Sequence, residues 1–320
     1  MREGPARRAM TQALGPLLGG LSLVLALGFV LARVRGLGAR EADVLNGLVV
    51  DVTMPALLFA VLARGGMAWG AARVLPWSAT ALLAALGVGA AVARAFGLDA
   101  RAVGSAGIVA SFSNTGFLGL PLLLTLFPGD AAASSAAMMI DLVITTILLW
   151  TLGQAYAERF GSGKAFDVKA ALRIFKKPLV LAVPLGALAH ALHLPIPPFL
   201  LTTLEGLGRT TTYLVFLSLG LSLDVRALSG RVAPAIAICL VKLLFAPAVA
   251  LLCVRVFSVP EPIATVAVLQ AAMPSALASV IIVALTGCDR PLAAAVCTLA
   301  SLASMATLPL VSWIVEATRP

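Results

Sequence analysis

Charge is what this sequence has least of. Asp, Glu, Lys and Arg make up 12% of the 320 residues, against roughly 25% in an ordinary soluble domain. A soluble fold needs a polar skin, and 12% charge beside 61% hydrophobic residues does not supply one. Soluble enzymes, disordered chains and fibrous repeats are therefore excluded. Catalytic signatures are missing too: there is no HExxH, GxSxG, P-loop, Asp-rich diphosphate-binding run or CxxC. An intramembrane enzyme would need a recognisable nucleophile, metal set or acid–base pair. The four cysteines (Cys239, Cys253, Cys288 and Cys297) have no metal spacing, and most of them lie in apolar runs, where Cys behaves as a small hydrophobe. His190 and His193 fall at the end of an apolar run and read as loop residues rather than ligands.

What is present is a series of apolar runs divided by short charged or Gly/Pro stretches. The pattern predicts an all-α polytopic membrane protein of ten spans, over 12–32, 43–63, 74–96, 101–127, 131–157, 178–192, 198–224, 231–255, 261–286 and 290–315. At about 20 residues per span, ten spans account for the apolar content. The sixth is short. Residues 17–32 resemble a signal h-region, but no small-x-small cleavage site follows, so they read as the first span. Met10 is a second candidate start. The one sizeable loop, 158–177, divides the chain into five-span halves, 1–157 and 178–320.

The net charge of +9 does not call for nucleic acid, because cytoplasmic loops of membrane proteins collect Lys and Arg. Arg33, Arg35, Arg40, Arg94, Arg101, the basic loop 158–177, Arg226, Arg231 and Arg290 fall on one side. That side outweighs the other, so it is expected to be cytoplasmic, in a cell (inner) membrane, with both termini outside. Trp69, Trp77 and Trp313 lie near span ends, as interfacial anchors do.

The halves echo each other at an offset of about 160. "ARVLPWSA" (72–79) resembles "GRVAPAIA" (230–237), Asp99 matches Glu261, and Gly129-Asp130 matches Gly287-Cys288-Asp289. An odd number of spans per copy makes the second copy inverted, a hallmark of secondary transporters with a midplane site. Breakers fall in matching spans. Span four carries Ser111, Ser113, Asn114, Thr115, Gly116, Gly119 and Pro121, and span nine carries Gln270, Met273, Pro274, Ser275 and Ser279. Proline removes a backbone donor, and Asn, Ser and Thr cap new helix starts. Free backbone groups at membrane depth are tolerated only where they line a cavity or meet a ligand. Two half-helix N-termini meeting there make a site for an anion, most simply a carboxylate. The expected substrate-binding residues are thus Ser113, Asn114, Thr115, Gly116, Gln270, Met273, Pro274 and Ser275, with breaks at Asn114, Pro121 and Pro274.

Three charges fall inside spans: Asp51, Asp141 and Lys242. Such charges are functional candidates by default. Asp141 is the preferred coupling residue for H⁺ or Na⁺, and Lys242 an ion-pair partner or substrate counter-charge. No other cofactor and no metal is expected. Glu205 and Arg209, spaced i, i+4, read as an interfacial helix pair.

At these residues the chain resembles the auxin efflux carrier family, which includes plant PIN-type carriers and bacterial malate/malonate transporters. "SFSNTGFLGLPLL" (111–123) is similar to its span-four signature. "LNGLVVDVTMPALLF" (45–59), "KKPLVLAVPLGAL" (176–188), "LGRTTTYLVFLSLGLSL" (207–223) and "AAMPSALASVIIVALTGCD" (271–289) resemble its spans two, six, seven and nine. Ser113 stands where PIN-type carriers have proline, Lys177-Pro178 replaces an Asn-Pro, and the central loop is short. The resemblance implies the bile-acid/sodium-symporter-like fold of two inverted repeats, with spans four and nine crossing at their breaks. It further implies a scaffold domain from spans 1, 2, 6 and 7, a transport domain from spans 3–5 and 8–10, elevator-type movement, a homodimer, and mono- or dicarboxylate substrates. The function expected is secondary active transport of a small organic anion, not enzymatic chemistry. The alternative is a membrane receptor or sensor that binds the same anion without moving it.

Overall fold

The computed structural model describes residues 5–161, 178–223 and 231–319. The loop expected over 158–177 lies, from residue 162 onward, outside them. The described residues form helices at all ten expected places: α1 (Pro5–Arg35), α2 (Arg40–Gly65), α3 (Trp69–Ala95), α4a (Ala100–Ser111), α4b (Thr115–Leu126), α5 (Ala131–Phe160), α6 (Pro178–Ala191), α7 (Pro198–Ser222), α8 (Val232–Val256), α9a (Ile263–Ala272), α9b (Leu277–Leu285) and α10 (Arg290–Ala317). Six of them (α1, α2, α3, α5, α8 and α10) are long and apolar enough to cross a membrane. The fourth and ninth segments fall short because they are broken, and α6 because it is short. The seventh is 25 residues long but carries Glu205, Arg209 and five threonines. Leu23, Phe199 and Trp69 are each more than 70% exposed, as expected of lipid-facing side chains rather than a water-facing skin.

Helix starts follow from local chemistry. Asp99, Asp130 and Asp289 cap α4a, α5 and α10, accepting from Ala102, Ala133 and Leu292 N–H at 2.8, 2.9 and 3.0 Å. Gly129 and Gly287 precede the last two caps with φ of 76° and 73°, a left-handed conformation that favours glycine. Prolines also shape the helices. Pro55, Pro121 and Pro247 each lie two residues beyond a widened π-helical turn, at Val49–Thr53, Thr115–Gly119 and Val241–Phe245. A missing N–H and a ring that crowds the preceding carbonyl favour such widening.

The helices pack in two groups. In one, α7 lies along α1 and α2, and α6 packs on α2; in the other, α3, α4, α5, α8, α9 and α10 pack together. Close approach within the first group depends on small residues. A Cβ on Gly28 would press on the backbone of α7, and one on Gly220 on the backbone of α1. Trp69 and Trp313 are exposed near helix ends, whereas Trp77 stacks on Phe257 with ring centroids 3.7 Å apart. The Glu205–Arg209 pair is corrected: Glu205 pairs with Arg64 of α2. A tertiary partner on the neighbouring helix displaces the local i+4 one. His190 packs under Gly66, with its Nδ1 3.3 Å from the Ala63 carbonyl.

Candidate functional site

The two helix breaks meet. After α4a ends at Ser111, Phe112 is extended, and after α9a ends at Ala272, Met273 is extended. The extended stretches run antiparallel and pair as a single bridge between Ser113 and Ser275. Asn114 N–H donates to the Pro274 carbonyl at 2.7 Å, and Ala276 N–H donates to the Phe112 carbonyl at 2.9 Å. Backbone groups freed by one break are thus satisfied by the other. The breaks hold each other in place.

Polar side chains gather at this crossing. Ser275, fully buried, donates to the Val109 carbonyl at 2.6 Å, and Ser113 donates to the Ala271 carbonyl at 3.4 Å. Asn114 is 8% exposed, and its carboxamide makes no hydrogen bond among the described residues. Thr115 opens α4b; its hydroxyl donates to Asp141 Oδ1 at 2.7 Å and lies 2.7 Å from Thr145 Oγ1. Gly116 makes room for that carboxylate, since a Cβ there would stand 2.7 Å from Asp141 Oδ1. Asp141 therefore sits against the start of α4b, where N–H groups and the positive end of the helix favour an anion. Lys242 reaches the crossing from the far side, donating to Ser113 Oγ at 2.8 Å and to the Ala271 carbonyl at 2.7 Å. Met273 and Pro274 are buried in the break itself, and Pro121 in α4b.

A small cavity of about 30 Å³ lies beside the crossing, lined by Ser78, Ser111, Ser113, Thr115, Thr145 and Gln270 among others. Its volume suits one or two waters. Gln270 donates to the Ala137 carbonyl at 3.4 Å, while its Oε1 and Ser78 Oγ have no hydrogen-bond partner among the described residues. A second cavity, of about 10 Å³, lies on the seam between the two helix groups. Leu58 and Val183 line it from one side, Leu120, Thr146 and Asp141 from the other. Asp141 thus touches both the crossing and the seam.

Seven of the eight residues expected to bind substrate lie in or next to the paired breaks, and Gln270 is one turn away on α9a. Asp141 and Lys242 join them. Asp51 does not: it is exposed on the outer face of α2, and Thr53, two residues on, turns inward to meet Thr211 at 2.9 Å. Sequence reasoning missed Ser78 and Thr145, hydroxyls in apolar runs with no spacing signal.

Helices broken back to back in a chain of apolar helices, with buried charges gathered at the breaks, are the architecture of a membrane transporter. The family model described as Membrane transport protein matches residues 20–312, and the chain belongs to that family, the auxin efflux carrier family. An uncharacterized transporter of Methanocaldococcus jannaschii is 27% identical over 300 residues, covering 91% of this chain and 96% of its own length. An uncharacterized transporter of Methanothermobacter thermautotrophicus is 30% identical over 292 residues, covering 91% of this chain and 94% of its own.

Proposed function

We propose that the protein is a secondary active transporter of a small organic anion, a mono- or dicarboxylate, working by elevator-type alternating access. The observation that carries this reading is the pair of breaks hydrogen-bonded to one another, Asn114 to Pro274 and Ala276 to Phe112, beside an Asn114 carboxamide that makes no hydrogen bond among the described residues. Backbone N–H groups at the starts of α4b and α9b and the Asn114 amide are suited to a carboxylate. The cavity beside the crossing is too small for such an acid, so the anion enters only when the seam beside Asp141 opens.

Two further observations support the reading. The caps and turns repeat at the offset of the sequence repeat: Gly97 and Ser258 are both left-handed after α3 and α8, and Gly129 and Gly287 after α4b and α9b. This supports two inverted five-helix repeats. The packing of α1, α2, α6 and α7 chiefly on one another, with α1 also against α10 and α7 against α4b, supports a scaffold from those helices and a transport domain from α3–α5 and α8–α10. Asp141, at the N-terminus of α4b, holds the place a substrate carboxylate would compete for. Protonation of Asp141 removes the competing negative charge, which makes H⁺ the coupling ion we favour.

Uptake of radiolabelled malonate, malate or indole-3-acetate into proteoliposomes tests the site. Asn114→Ala is expected to reduce uptake at least tenfold, the cost of one charge-assisted hydrogen bond of about 1.5–3 kcal/mol, with an unchanged melting temperature. Undiminished uptake by that variant sinks the site assignment.

A further inference from the structure

Lys242 is the most deeply buried charged side chain among the described residues, with none of it exposed. An ammonium at that depth needs a counter-charge. Among the described residues no Asp or Glu forms an ion pair with it. Its partners are a hydroxyl and a main-chain carbonyl, Ser113 Oγ at 2.8 Å and Ala271 O at 2.7 Å. Ser113 stands two residues past the end of α4a, and Ala271 lies in the last turn of α9a. The ammonium therefore sits where the C-terminal ends of two half-helices come together.

Each such end carries about half a negative charge, so the two together balance roughly one cation without any carboxylate. Unwound backbone carbonyls and half-helix C-terminal ends are also what coordinates Na⁺ in transporters built on discontinuous helices. Lys242 brings a monovalent cation to that position on a covalent tether, from the widened turn Val241–Phe245 of α8. The opposite, N-terminal ends of the second half-helices point to anions, and Asp141 lies against one of them. The crossing is thus divided by charge: a resident cation at the C-terminal ends, room for an anion at the N-terminal ends.

We propose that Lys242 is a built-in substitute for a coupling Na⁺, its ammonium filling the oxygen-lined position between the ends of α4a and α9a, so that the protein works without Na⁺. The proposal rests on reading the crossing as the transport site. It has a consequence that needs no substrate: removing the amine while keeping the oxygens leaves a vacant monovalent-cation site.

The test is thermal unfolding of the purified full-length protein in detergent, in NaCl, KCl or choline chloride at equal ionic strength. The wild type is expected to melt at the same temperature in all three salts. Lys242→Ala is expected to melt lower in choline chloride by roughly 5 °C or more. NaCl should recover at least half of that loss in a saturable manner, and KCl less. A Na⁺-specific rise in the wild type overturns the proposal, as does a Lys242→Ala protein that melts alike in all three salts. If Lys242→Ala does not yield folded protein, Lys242→Ser, which adds an oxygen, is read the same way, and the wild-type comparison still decides. Because no transported acid enters the assay, failure of every acid in uptake assays and failure of this proposal are separate results.

Discussion

Asn114, Thr115 and Gly116 occupy three consecutive positions and do three different things. Asn114 closes the bridge to Pro274 through its backbone, and its side chain makes no hydrogen bond among the described residues. Thr115 fixes the Asp141 carboxylate, and Gly116 gives it room. That division was half legible in the sequence. Asn and Ser beside Gly and Pro in an apolar run announce a break, and the offset of 160 between Asn114 and Pro274 announces its partner. The contacts from α5 and α8 were not legible. Asp141 and Asp51 look alike in sequence, each a lone carboxylate in an apolar run, yet one faces the crossing and the other faces outward. In a membrane both faces of a helix are apolar, so periodicity does not say which face is inward. At this scale the account predicts that Asp141→Asn, uncharged at every pH, binds the transported acid but transports it at a rate indifferent to external pH. Wild-type uptake should rise as the pH falls. An Asp141→Asn protein that keeps the wild-type pH profile places coupling elsewhere.

Among the helices, the recurring device is a proline two residues past a widened turn, and these turns carry Asp51, Thr115 and Lys242. The prolines were plain in the sequence, but the extra residue each turn accommodates was not. Pro247→Ala restores a backbone donor and lets α8 close into a regular helix, swinging Lys242 away from Ser113. Uptake by that variant is expected to fall severalfold while the protein stays folded; unchanged uptake would mean that the turn is not what aims Lys242. The α1–α7 contact gives a second, structural prediction. Gly220→Val drives side-chain atoms into the backbone of α1 and should cost about 1–3 kcal/mol, seen as earlier melting in detergent. Gly206→Ala on the same helix meets nothing within 4 Å and should be neutral or stabilising by up to about 1 kcal/mol. Equal behaviour of the two variants would deny the close approach.

Taken whole, the molecule is two packed groups of helices meeting at a seam, with the paired breaks inside one group and Asp141 where break and seam meet. The ten apolar segments were legible from composition alone, because each is bounded by charge, glycine or proline. The grouping was not, since it depends on which apolar faces match in shape. The arrangement supports a carrier in which the group bearing the breaks slides against α1, α2, α6 and α7. Transport is therefore the property to measure first, by currents from the purified protein in liposomes on a solid support. Malonate, malate, acetate and indole-3-acetate would each be pulsed while pH and Na⁺ are varied. The account predicts a saturable current for at least one acid, dependent on pH, indifferent to Na⁺ and lost in Asn114→Ala. Saturable binding of an acid in a thermal-shift assay, with neither current nor uptake for any of them, would contradict it and mark the protein as a receptor.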